Sequence, residues 1–190
     1  RSAGPKRVRQ HVNPLRSTHQ NLLQLPKHWP STVFREPEQP LHVDIGCARG
    51  LWCLELANRR PKINVLGLEI RSALVEAAEK DVTQNRLPNV GFMACNANVN
   101  LDSLLRGAAP AALNSVSLQF PDPWFKAKHH KRRTLQPPLV STIADHLQPG
   151  GWFLLQTDVL ELAEDMREMI RMTEPARLED KCTNSSDWGV

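Results

Sequence analysis

One carboxylate in this sequence is set between two prolines at the end of an apolar run, Ser117-Leu118-Gln119-Phe120-Pro121-Asp122-Pro123-Trp124-Phe125-Lys126. A positive cluster, His129-His130-Lys131-Arg132-Arg133, follows within a few residues. Proline fixes φ and restricts the residue before it, so Asp122 is held in place rather than left to swing. A held acid beside a cationic loop suits a site where a polyanion is gripped by its phosphates while chemistry is done on one base. The same residues would also make an ordinary strand-to-loop turn beside a solvated basic face, and the motif alone does not separate the two readings.

Other polar residues fall into line with Asp122 once the elements are placed. Leu41–Ile45, Asn64–Glu69, Val90–Ala94, Ser115–Phe120 and Trp152–Thr157 read as strands. Helical spacing covers Leu51–Arg59, Arg71–Gln84, Thr134–Leu147 and Leu160–Met172, with a short helix at Leu101–Arg106. The segment Gln148-Pro149-Gly150-Gly151 reads as a helix end. Alternating strands and helices predict an α/β fold, a doubly wound and mostly parallel sheet covered on both faces. Ligands of such sheets bind at the carboxyl ends of the strands. Asp44, Glu69, Asn96, Asp122 and Asp158 all fall at or just past predicted strand ends, which makes a shared site the better account of the set.

The first strand-to-helix turn, Val43-Asp44-Ile45-Gly46-Cys47-Ala48-Arg49-Gly50, says what kind of ligand. A pyrophosphate-binding loop needs glycines at its third and sixth places, and those hold Ala48 and Leu51. NAD therefore fits poorly. A methionine-bearing nucleoside without phosphate fits better. Gly46 lets the backbone approach it, Asp44 takes its amino group or a water bound to that group, and Glu69 accepts its ribose hydroxyls. Asn96, with the backbone of Ala97, pairs with the adenine edge. That ligand is S-adenosylmethionine.

Composition supports an anionic partner. The chain has 190 residues, 41% apolar and 23% charged, and a net charge of +4. This is ordinary for one globular domain with a substantial core. From Arg1 to Arg35 there is no acidic residue, while 158–180 is rich in Asp and Glu. A molecule polarised in this way suits a nucleic acid on one side, though a basic terminus can also be a plain tail. Residues 1–40 read as a basic arm, with one short helix near Arg16–Leu25, and 41–190 as the catalytic domain. No apolar run is long enough to span a membrane. Cys47, Cys53, Cys95 and Cys182 form no CxxC pair, so buried free thiols in a reducing compartment are expected, with no metal. The absence of a starting Met suggests that residues precede Arg1.

These motifs together resemble the tRNA (guanine-N7)-methyltransferase family in its bacterial or plastid form. The resemblance is carried by Asp44–Gly50, by Gly67-Leu68-Glu69-Ile70-Arg71, and above all by Gln119–Trp124 with Lys126 and His130–Arg133. Gln156-Thr157-Asp158 and Arg9-Gln10-His11-Val12-Asn13-Pro14-Leu15 are similar to further family segments. The resemblance implies the class I, Rossmann-like methyltransferase fold and transfer of a methyl group from S-adenosylmethionine to N7 of a tRNA guanine. It adds Gly50, Arg71 and Gln119 to the cofactor set and gives Asp122 the catalytic role. It places Lys126 and Asp158 against the substrate. Lys131, Arg132 and Arg133 would hold the phosphates, as would Lys6, Arg7 and Arg9. It also implies a Thr- and Glu-bearing loop and a last strand beyond Val190, approached by Asn184–Trp188, so the chain reads as C-terminally truncated. The partner would be tRNA, with the protein a monomer or homodimer in the cytoplasm or, alternatively, the plastid stroma. Competing readings are an RNA-binding module that kept the fold, and an S-adenosylmethionine enzyme with another substrate. Trp124 or Phe125 would be either a stacking surface for a displaced base or core packing.

Overall fold

The computed structural model describes residues 11–181. Strands β1 (Leu41–Ile45), β2 (Asn64–Glu69), β3 (Val90–Ala94), β4 (Leu113–Gln119) and β5 (Leu147–Gln156) are all parallel, in the order β3-β2-β1-β4-β5. The order reverses between β1 and β4, where Val43 is opposite Val116. That reversal opens the crevice in which doubly wound sheets place their ligands.

Helices α1 (Pro30–Val33), α2 (Leu51–Arg59), α3 (Ser72–Asn85), α4 (Ala97–Gly107), α5 (Pro137–His146) and α6 (Leu160–Thr173) complete the chain. Side-chain alternation along the strands feeds two cores. Leu41, Val43, Ile45, Leu66, Leu68, Val116 and Leu118 join Leu101, Leu104, Leu139, Ile143, Leu162 and Met166 from α4, α5 and α6. Val65, Val90 and Phe92 join Cys53 and Ala57 of α2 and Val75 and Ala78 of α3. Each fully buried Leu, Ile or Val stabilises the sheet by about 1.5–3 kcal/mol.

Among the element bounds that differ from the sequence reading, three differ for a clear local reason. Helix α5 starts at Pro137 rather than Thr134, because the residue before a proline is forced out of the helical region, and Gln136 is extended at φ −136, ψ 154. Helix α4 starts at Ala97 rather than Leu101, because the Asn96 side chain caps it, accepting from the Asn98 N–H at 3.1 Å. Gln148–Gly151 does not separate α5 from the strand. It lies within β5, where the register jumps from Leu113–Leu147 to Ser115–Trp152. An edge strand tolerates such an irregularity and its proline.

The described part of the arm is not free. In place of a helix over Arg16–Leu25 there is one 3-10 turn, Ser17–His19. Trp29 and Phe34 are 1% and 4% exposed within the larger core, and the Trp29 indole N–H donates to the Leu104 carbonyl at 3.0 Å. A boundary at residue 40 therefore cuts through one body. Two tryptophan- and phenylalanine-sized surfaces are buried by α1 and its flanks, and this ties the preceding segment to the sheet.

A polar chain runs through the sheet below the switch point. His42 hydrogen-bonds Ser115 Oγ at 2.8 Å and Ser117 Oγ at 3.0 Å, and the Ser117 hydroxyl donates to Asp44 Oδ1 at 2.6 Å. Burial holds the His42 pKa down at about 4. Between pH 6.5 and 4 the unfolded chain thus binds the proton that the folded chain refuses, and stability present above pH 6.5 is lost as pH falls. Roughly 2 kcal/mol should be gone by pH 5. Burial raises the Asp44 pKa, against hydrogen bonds from Ser117, Cys53 and Gln119 that lower it. Its contribution has the opposite slope and declines as pH rises through the acid range. His42→Asn should flatten the loss between pH 7 and 5 in urea melts. An unchanged slope would assign it to other groups.

Candidate active site at the carboxyl edge of the sheet

The loops after β1, β2, β3 and β4 surround one cleft of about 790 Å³ counting its open mouth. Gly46, Glu69, Arg71, Asn96, Ala97, Gln119, Phe120, Asp122 and Arg132 line it. Val12 and Pro14 of the N-terminal segment close it from above. Seven of the residues proposed for cofactor or catalysis from sequence thus meet in one place.

The β1–α2 loop is built to let something approach. Gly46 has φ +79, and a Cβ placed on it would meet nothing within 4 Å. The backbone there faces open space in a conformation that side chains avoid. The Gly46 and Cys47 amides donate to the Leu68 carbonyl at 2.7 and 3.1 Å, fixing the loop to the end of β2. Gly50 has a different task. Its φ is +72, and a Cβ would lie 2.3 Å from the Phe92 ring, so the residue lets α2 pack onto β3 and does not line the cleft. Gly50 therefore has a packing task in the loop, beside the cofactor role expected from sequence.

Glu69 lies at the floor, 3% exposed. Its carboxylate accepts from the Ala48 N–H at 3.1 Å, the Arg71 N–H at 3.0 Å, and the Arg71 guanidinium at 3.0 and 2.9 Å. Four donors fill a carboxylate that has about four lone-pair sites. Hydrogen bonding to Glu69 in turn raises the Arg71 pKa. A diol can reach Glu69 only as the guanidinium swings aside, while the two backbone amides stay. Asn96 is similarly engaged. It caps α4 and donates to the Pro14 carbonyl at 3.3 Å, which leaves one hydrogen and one lone pair for an adenine edge. Asp44 lies one layer down. At 3% exposed it is held by Ser117, by the Cys53 thiol at 3.4 Å and by the Gln119 amide at 3.5 Å, and it does not line the cleft. Of the two expected modes, direct contact with the ligand's amino group or contact through a water, its depth favours the water, and its carboxylate also supports Gln119, which does line the cleft.

Asp122 is at the mouth, 36% exposed at its side chain, and His11 Nδ1 is 2.8 Å from its Oδ1. The turn that presents it is strained at both ends, with φ +48 at Phe120 and φ +44 at Trp124. Bulky residues rarely adopt that region, and such strain costs about 1–3 kcal/mol per residue unless the surroundings impose it. Trp124 is half-buried. The Arg132 guanidinium is 5.1 Å from its ring centroid, with His11 and His129 edge-on at 6.4 and 5.7 Å.

The basic loop splits into two kinds of residue. Lys126 and Lys131 are exposed, and Arg132 is half-buried with an Nε that finds no hydrogen-bond partner among the described residues. Desolvation, then the neighbouring Arg132, Lys128, Lys126 and Lys131 charges, lower the His129 pKa, as a concentrated positive field requires. Arg133 belongs to the interior. Its side chain is 8% exposed, donates to the Pro123 carbonyl at 2.8 Å and pairs with Asp165 of α6. The expectation that Arg133 holds phosphate is corrected. It pins the Pro-Asp-Pro turn to α6. Asp158 is exposed just past β5 and does not line the cleft. Lys6, Arg7, Arg9, Cys182 and Asn184–Trp188 lie outside the described residues.

Comparison with known proteins meets this geometry. A family model described as "Putative methyltransferase" matches residues 38–187. The tRNA (guanine-N(7)-)-methyltransferase of Thermosynechococcus vestitus is 49% identical over 187 residues, covering 97% of this chain and 84% of the relative. That of Synechococcus sp. (strain CC9311) is 47% identical over 166 residues, 87% of this chain and 69% of the relative.

The chain belongs to the tRNA (guanine-N7)-methyltransferase family.

The family's sheet is of the class I methyltransferase type. The precorrin-6y C5,15-methyltransferase of Geobacter metallireducens superposes with TM-score 0.53 at 13% identity, over 77% of this chain and 69% of that one. The [4+2]-cyclase SpnF superposes with TM-score 0.51 at 17% identity, over 76% and 54%. These likenesses establish the fold alone. For this family member, sequence reasoning missed Val12, Pro14, His11 and Phe120. The first three sit in the His11–Leu15 stretch that resembles the family, but a Pro-interrupted segment has no periodicity from which to infer that it folds back over the sheet edge. No described helix is long and apolar enough to cross a membrane. Among the described residues no cluster of three or more His, Cys, Asp or Glu is placed to hold a metal.

Proposed function

We propose that this chain transfers the methyl group of S-adenosylmethionine to N7 of a guanine in tRNA, in the variable loop, leaving 7-methylguanosine and S-adenosylhomocysteine. One observation carries the reading. A cradle for a phosphate-free nucleoside, Gly46 with Glu69, shares a cleft with a rigidly held carboxylate, Asp122, under a rim of cations. The cradle fits this cofactor. Gly46 leaves room where a side chain would intrude, Glu69 offers diol acceptors once Arg71 yields, and the Gly46, Cys47, Ala48 and Gly50 amides already donate to Leu68, Glu69 and Cys47 rather than converging on a pyrophosphate.

When bound, the cofactor supplies an electrophilic methyl on a sulfonium. Guanine N7 already has an in-plane lone pair, so the N–C bond forms as the C–S bond breaks and no proton must first be removed. The positive charge passes to the purine. The protein's task is alignment and charge stabilisation. Asp122 accepts from the guanine edge and faces the developing cation, exchanging its present partner His11 for the base. Arg132, whose Nε is an unsatisfied buried donor, and the exposed Lys126 and Lys131 take phosphates. Asp158 borders the same edge. The cyanobacterial relatives support a compartment of bacterial or plastid kind. The assembly proposed is a monomer or a homodimer.

Labelled S-adenosylmethionine offered with unmodified tRNA, a tRNA-sized DNA and a protein mixture tests the substrate class. Label should enter only the tRNA. Label in protein would favour another methyl acceptor, and tRNA binding without transfer would favour a non-catalytic RNA-binding module. The rim makes a second prediction. Neutralising Lys126 and Lys131 should reduce the slope of log affinity for tRNA against log salt by roughly 2. Arg133→Gln should leave that slope alone and lower the melting temperature. A salt slope that moves with Arg133 and not with the lysines would reverse the assignment.

A further inference from the structure

The methyl acceptor must be held flat as well as gripped at its edge. A base lifted from folded RNA loses its stacking partners, and proteins replace them with aromatic faces. Three aromatic residues flank Asp122. Trp124 also lines the cleft, but it is half-buried and its ring is already packed by Arg132, His11 and His129. Phe125 is 67% exposed but does not line the cleft. Phe120 does both: it lines the cleft, and it is 59% exposed.

The backbone singles out the same residue. Phe120 has φ +48, while its peptide N–H donates to the Gln156 carbonyl at 2.7 Å. The left-handed turn is thus pinned to β5 and is not a loose loop. A bulky aromatic in that conformation is an outlier, and outliers held by their surroundings cluster at functional sites. Exposed apolar surface and an unfavourable φ both disfavour this residue as it stands, and a base lying on the ring would offset the exposure.

We propose that Phe120 is the stacking platform for the target purine, and that its left-handed backbone presents the ring at the cleft two residues from Asp122. This rests on the guanine methylation reading above. Guanine laid on Phe120 would have its edge held by Asp122, so the face and the edge of one base are read by one rigid five-residue turn.

Three variants test it. Phe120→Leu keeps apolar bulk without a π face, Phe120→Tyr keeps the face, and Phe120→Gly removes the ring while suiting the left-handed φ. The readouts are single-turnover formation of 7-methylguanosine on tRNA, S-adenosylmethionine affinity by calorimetry, and melting temperature. The Leu and Gly variants should lose roughly 10- to 100-fold in kcat/KM for tRNA, the scale of one lost base–aromatic stack. Their cofactor affinity should be unchanged, the Tyr variant should keep most of the rate, and the Gly variant should melt no lower than wild type. A Leu or Gly variant as fast as wild type, or a Tyr variant as slow as the Leu one, overturns the proposal. Wild-type protein that makes no 7-methylguanosine overturns the underlying reading and this inference with it. An active wild type matched by an equally active Leu variant overturns this inference alone.

Discussion

Asp122→Asn should lower single-turnover methylation of tRNA by on the order of 10²–10³, the loss typical of one preorganised electrostatic group. The substitution keeps size and shape. The amide can still accept a hydrogen bond from guanine, but it cannot balance the cation that forms on the purine. S-adenosylmethionine binding should be near normal, because the cofactor cradle is made by the β1 and β2 loops. The pH profile says what the carboxylate does. Since N7 needs no deprotonation, the wild-type single-turnover rate should not rise steeply through neutral pH. A rate rising steeply through neutral pH, with the rise lost in Asp122→Asn but kept in His11→Ala, would make Asp122 a proton acceptor and overturn the alignment mechanism.

Glu69→Ala should have the second-largest effect, on cofactor affinity. The change removes the proposed ribose acceptor and also strands the Ala48 and Arg71 amides and the Arg71 guanidinium, four donations in all. Each lost buried acceptor of this kind costs about 1–3 kcal/mol. Calorimetry should show S-adenosylmethionine binding weakened by roughly tenfold or more, with the β1–α2 loop less protected in hydrogen exchange. Arg71→Ala separates the two parts. It frees the carboxylate for the diol while leaving the Ala48 amide in place, so it should weaken cofactor binding far less than Glu69→Ala. Equal losses in both variants would mean that the ion pair, and not the ribose, is what Glu69 serves.

The sheet was legible because its strands are short, mostly apolar runs set between helical segments, and β1, β2 and β3 begin and end where that pattern says. The convergence of Glu69, Asn96 and Asp122 followed from topology alone, since parallel strands deliver their carboxyl ends to one edge. What sequence could not convey was depth. Asp44 and Glu69 look alike as acids at strand ends, yet Asp44 is enclosed by Ser117, Cys53 and Gln119 while Glu69 opens onto the cleft. Arg133 continues a cationic run in which Lys131 faces water, but a 3-10 turn over Ala127–Arg132 sends it inward to Asp165. A charge run has no periodicity to show which member turns in. Phe120 was hidden for a related reason. Its left-handed φ is a property of the turn, and a residue type that rarely adopts it gives no local warning.

The account's central claim is tested most directly by nucleoside analysis of tRNA after reaction. Unmodified tRNA incubated with the protein and S-adenosylmethionine should yield 7-methylguanosine, mapped to a single guanine of the variable loop, with none formed by Asp122→Asn on the same timescale. Methylation at another atom of guanine or on another base, or 7-methylguanosine made as fast by Asp122→Asn, would contradict it.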